Sequence, residues 1–85
     1  MNTKKPQPDK RTVARKVRRY LKDIHPEGAE LEVLERGVRR EEFWWYVPVR
    51  PSQEPDKRSA YYEALAEVEG QLEEKEKLTV FLAPG

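Results

Sequence analysis

The chain has 85 residues, with 17 Lys and Arg against 16 Asp and Glu, so a charged fraction of 39% leaves a net charge of only +1. This is the length of one small domain, and the absence of cysteine excludes a disulfide framework and a thiolate metal site. No stretch approaches the ~20 apolar residues that span a bilayer, and the charged start has no apolar run behind it of the kind a secretory signal carries. A cytoplasmic setting without membrane contact is therefore expected.

Residues 1–9 are polar and contain Pro6 and Pro8. They are expected to form a flexible tail ahead of a single domain over 10–85. Asp9 or Thr12 is placed to cap the helix that follows. From Lys10 to Ile24 the apolar residues Val13, Val17, Tyr20, Leu21 and Ile24 recur on one helical face. His25, Pro26 and Gly28 end the helix. Away from that face, Arg11, Arg15, Arg18 and Lys22 form a basic row, widened by Lys10, Lys16 and Arg19.

Glu30 to Glu35 alternates as a half-buried strand, with Leu31 and Val33 on one side and Leu34 on the other. Arg36-Gly37-Val38-Arg39 predicts a hairpin turn, with Gly37 supplying a positive φ. Glu42 to Arg50, EFWWYVPVR, is too short for a typical helix and is rich in aromatic and β-branched residues, so it predicts the returning strand. Successive strand residues point to opposite faces. Phe43, Trp45, Val47 and Val49 therefore share one face, and Trp44 and Tyr46 share the other. Pro48 lacks an N–H, which calls for a bulge or an unpaired strand end.

Arg50 to Pro55 reads as a loop. Asp56 or Ser59 then starts a second helix running to about Glu74, with Tyr61, Leu65, Val68 and Leu72 as its apolar stripe and Gly70 weakening it. Tyr62, at the edge of that stripe, is expected to cover the rim of the first helix. The exposed side is acidic, with Glu63, Glu67, Glu73 and Glu74. Lys10 and Arg11 sit at one helix N-terminus and Glu73 and Glu74 at the other helix's C-terminus, opposing the macrodipoles at a cost of about 0.3–1 kcal/mol each. Leu78 to Ala83 is the last strand, with Leu78, Val80 and Leu82 on one face and Thr79, Phe81 and Ala83 on the other.

The order predicts an α+β two-layer sandwich of topology αββαβ. Its three-stranded mixed sheet has the aromatic strand in the middle and two helices on one face. This order resembles a ferredoxin-like domain without its first strand, a likeness of topology that carries no function. The face away from the helices would then show Leu34, Trp44, Tyr46, Thr79 and Phe81. Burying a large apolar side chain is worth about 1.5–3 kcal/mol, so a covering partner is expected.

The expected function is a non-catalytic protein-interaction module that self-associates, as a homo-oligomer, or docks to a protein partner through that aromatic face. The oppositely charged helices offer complementary pairing between copies. The alternative is a small nucleic-acid-binding protein. It would stack bases on Trp44, Tyr46 and Phe81 and hold phosphates with Arg11, Arg15, Arg18, Arg19 and Lys22, residues equally suited to an acidic protein. Near-neutral net charge weighs against that alternative.

No cofactor or catalytic group is expected. His25 is the only histidine and stands at a helix end before Pro26. The few hydroxyls occupy no nucleophile motif, and no glycine-rich phosphate loop is present. Pro55-Asp56 and Glu73-Glu74-Lys75 mimic the PD…ExK pattern of metal-dependent nucleases. Set at opposite ends of one helix they would lie ~25 Å apart and share no metal.

Overall fold

The computed structural model describes residues 8–84, and the fold is α+β, with two helices and a four-stranded sheet. Helix α1 spans Lys10–Leu21, strand β1 Leu31–Val33, β2 Arg39–Arg40, β3 Trp45–Pro51, helix α2 Arg58–Glu76 and β4 Val80–Pro84. Short 3₁₀ turns cover Pro26–Gly28 and Glu35–Gly37. Most of the expected tail, residues 1–7, lies outside the described residues. No helix among the described residues is long and apolar enough to cross a membrane.

Strand β3 is central. β4 pairs parallel along one side of it, from Trp45 opposite Val80 to Val49 opposite Pro84. β1 and β2 share its other side, both antiparallel, with Val33 opposite Val49 and Arg39 opposite Tyr46. The single first strand expected from the sequence is thus two short strands laid end to end. Pro48 is the physical reason. Its carbonyl accepts the Leu34 N–H at 2.9 Å, but its nitrogen offers no hydrogen to the same edge. The edge chain leaves the ladder there as the 3₁₀ turn Glu35–Gly37 and rejoins at Arg39.

This excursion moves the hairpin. The reversal predicted over 36–39 lies instead at residues 41–44, where the Glu41 N–H donates to the Trp44 carbonyl at 2.8 Å. Phe43, expected in the core with Trp45, sits in that turn and is 83% exposed. Gly37 does not take a positive φ. It is needed for close approach, since a Cβ there would lie 2.6 Å from Pro48 Cγ. Val38, expected in a turn, is buried in the core instead.

Both helices pack on the sheet face that carries Val33, Trp45, Val47, Val49, Val80 and Leu82, against Val13, Val17 and Leu21 of α1 and Tyr61, Leu65, Val68 and Leu72 of α2. The Asp9 carboxylate accepts the Thr12 N–H at 2.8 Å, capping α1 as a short polar side chain at that position should. This hydrogen bond holds the Asp9 carboxyl below its ordinary value. α1 ends at Leu21, short of the expected Ile24, although the Ile24 side chain still packs against the core.

α2 is capped by neither Asp56 nor Ser59. Glu27, in the turn after α1, reaches across and accepts the Asp56 N–H at 2.7 Å and the Lys57 N–H at 3.2 Å. Glu27 has φ 54° and Gly28 φ 80°, so the chain turns back through two left-handed residues to bring that carboxylate to the helix. At the other end Lys77 takes φ 54°, and its N–H closes the helix on the Leu72 carbonyl.

Candidate protein interface on the open sheet face

The sheet face turned away from the helices carries a cluster of three rings. Trp44 meets Phe81 edge-on, with centroids 6.1 Å apart and planes at 88°. Tyr46 meets Phe81 at 6.1 Å and 48°. Register builds this contact, because Phe81 lies directly opposite Tyr46 in the parallel pair and both side chains project to the same side. Trp44 and Tyr46 are half-buried against their neighbours, while Phe81 is 47% exposed.

Arg39 closes the cluster from the other flank. It stands opposite Tyr46, and its guanidinium lies 4.5 Å from the centre of the tyrosine ring. Its Nε also donates to Glu41 Oε2 at 2.8 Å. Farther along the same face Arg50 donates to Glu32 at 3.1 Å, across the β1–β3 pair. The face therefore has an aromatic centre with an arginine–glutamate pair toward each end.

The other expected interface residues lie outside these ring contacts. Leu34 is half-buried at the start of the 3₁₀ turn beside Pro48. Thr79 is exposed just before β4, and its carbonyl accepts the Trp45 N–H at 2.9 Å. Arg39 was missed in the sequence as a contributor, and Phe43 was misplaced, being exposed in the turn and not in the core. Both depend on where the hairpin turns. With the turn set five residues too early, Arg39 had no tyrosine opposite it and Phe43 fell inside the sheet.

The basic row is elsewhere. Arg11, Arg15, Arg18 and Arg19 on α1, and Lys22 at its C-cap, are all exposed, so the sheet lies between them and the aromatic cluster. Arg18 is tied to Glu35 at 3.0 Å, at the β1–β2 edge. Stacking residues and phosphate-binding residues therefore do not form one surface. The rings are also poorly disposed as base platforms, with Trp44 and Phe81 perpendicular and one face of Tyr46 already taken by Arg39.

Asp9 and Thr12 at the start of α1 and Glu76 and Lys77 at the end of α2 line one cleft. Lys16 Nζ donates to Glu76 at 2.7 Å and the Tyr20 hydroxyl donates to the same carboxylate at 2.9 Å. The Lys16 bond, then the Tyr20 bond, hold the Glu76 carboxyl below its ordinary value. The same carboxylate, accepting the phenol proton, raises the Tyr20 hydroxyl. Glu76, near the end of α2, is thus held by two side chains of α1, whereas Lys10, Arg11, Glu73 and Glu74 are exposed.

A cleft of about 590 Å³ opens between the start of α1, the end of α2 and the hairpin turn, lined by Lys16, Arg40, Phe43, Trp45, Glu76 and Lys77 among others. Its polar groups engage one another. Lys16 and Glu76 are paired, and the Arg40 guanidinium lies 5.7 Å from the centre of the Trp45 ring. His25 is exposed before the 3₁₀ turn Pro26–Gly28. Asp56 precedes α2 while Glu73 and Lys75 lie near its end. Among the described residues no three His, Cys, Asp or Glu side chains converge as a metal site requires.

A smaller apolar groove runs beside β4, lined by Tyr62, Leu65, Ala66, Glu69, Phe81 and Leu82 with Pro84. Tyr62, expected over the rim of α1, instead forms a wall of this groove. Comparison with protein-family models, with curated proteins and with solved structures finds no match to this chain.

Proposed function

We propose that this chain is a small non-catalytic docking module that binds protein through its open sheet face, with a second copy of itself as the first partner. The observation that carries this reading is the ring cluster Trp44–Phe81–Tyr46, gathered on the face that neither helix covers. Aromatic residues are enriched at protein interfaces, where a few of them dominate the binding energy. Covering the exposed half of Phe81 is worth about 1 kcal/mol on the scale for a whole large side chain. Trp44 and Tyr46 add to this.

The charges suit a second copy. The face carries both signs, as Arg39 beside Glu41 and Arg50 beside Glu32. A two-fold axis presents the same patch on both subunits, so a surface that carries both signs suits pairing with itself. Arg39 over Tyr46 supplies a flat, solvent-exposed cation already held in place by a ring, of the kind interfaces favour.

The test is Trp44→Glu and, separately, Phe81→Glu, followed by light scattering behind size exclusion and by circular dichroism. The expected result is a folded monomer for both variants where the parent is a dimer. Variants that keep the parent's mass would reject the face as the interface. A parent that binds single-stranded oligonucleotides at low salt, with quenched tryptophan fluorescence, would reassign the cluster to base stacking.

A further inference from the structure

The free edge of β4 is the place where this fold is open to another chain. Parallel pairing turns the N–H and C=O groups of Phe81 and Ala83 toward β3 and those of Val80 and Leu82 outward. An edge of this kind is a template for a further strand. The groove beside it makes the template better, because its apolar walls flank the edge on both sides. Tyr62, Leu65 and Ala66 come from the helix side and Phe81 from the open face. An added strand would alternate its side chains between these two walls.

One side chain occupies that edge. Glu69, on α2, accepts the Leu82 N–H at 2.8 Å through Oε2, taking the position that the carbonyl oxygen of a neighbouring strand would take. Pro84, the next outward residue, has no N–H to offer. The opposite edge of the sheet is blunted in a different way, by the 3₁₀ turn Glu35–Gly37 that breaks β1 from β2.

From this geometry we infer that Glu69 is a strand guard. It satisfies the outward N–H of Leu82 and places a carboxylate on the edge, so that association through β4 is suppressed. The occupant it excludes is the β4 edge of a second copy, since two such edges pair antiparallel about a two-fold axis. This inference does not depend on the proposed use of the aromatic face, because it is read as a change from whatever mass the parent has.

The experiment is light scattering over a concentration series for the parent, Glu69→Ala, Glu69→Gln and the double variant Glu69→Ala with Ala66→Lys. Alanine is the strongest helix former, so Glu69→Ala should keep α2, which circular dichroism checks. The expected result is a rise in mass for Glu69→Ala toward twice the parent's value. Glu69→Gln, which keeps an acceptor oxygen, should stay at the parent's mass. The double variant should return to it, because a lysine in the groove blocks strand addition without restoring the hydrogen bond. A Glu69→Ala protein that keeps the parent's mass, or that fails to fold, overturns the guard. So does association that persists with Lys at position 66, since it would not run through the β4 edge.

Discussion

Two glycines illustrate how a residue's surroundings decide what a methyl group does. Gly70 lies inside α2 with nothing within 4 Å of where a Cβ would stand. Gly70→Ala should therefore raise stability by about 0.5–1 kcal/mol in urea unfolding, through the conformational freedom that glycine loses in a helix. Gly37→Ala should do the opposite, costing about 1–3 kcal/mol, because its Cβ would meet Pro48 Cγ at 2.6 Å. The sequence marked Gly37 as a special position but misread the reason. A glycine beside a strand signals either a turn or a close approach, and only the neighbour across the sheet separates the two. Pro48 was legible as a defect in the ladder, since its missing N–H is a property of the residue alone. Which chain would yield to that defect was not, because the answer depends on the register of the opposite strand.

At the level of elements, both helices were legible from their apolar stripes, and the strands' inward faces from alternation. What the sequence hid was how one element finishes another. Glu27 lies 29 residues before Asp56, whose N–H it accepts, and no local pattern joins them. Glu27→Ala bears the same left-handed backbone, so the loss it causes reports its hydrogen bonds to the segment leading into α2; denaturant unfolding should show about 0.5–2 kcal/mol. Lys16 and Tyr20 of α1 meet in the same way on Glu76 near the end of α2, 60 and 56 residues further along the chain. Asp9 and Glu76 both have lowered carboxyl values in the fold. Each therefore contributes stability that is complete above the ordinary carboxylate range and is lost as pH falls through the lower, folded value. A midpoint measured from pH 7 downward should hold until that range and then drop, and Glu76→Gln should make the drop shallower.

For the whole molecule, the layered arrangement assigns different roles to its two charged and aromatic features. The helical layer covers one face of the sheet and carries the basic row of α1 on its outer side, while the ring cluster lies on the uncovered face. The open face was visible in the sequence as neighbouring tryptophans that cannot enter one core, and Trp44, Tyr46 and Phe81 do meet there. Arg39's place over Tyr46 was not visible, since it follows from a turn displaced by Pro48. The partner of this face is a proposal about assembly, and assembly is read most directly from mass in solution. Light scattering behind size exclusion, at low and high salt, should give a dimer that survives salt, because an aromatic interface is screened little while surface ion pairs are screened strongly. A monomer at both salt concentrations across the accessible protein range would contradict pairing through the aromatic face.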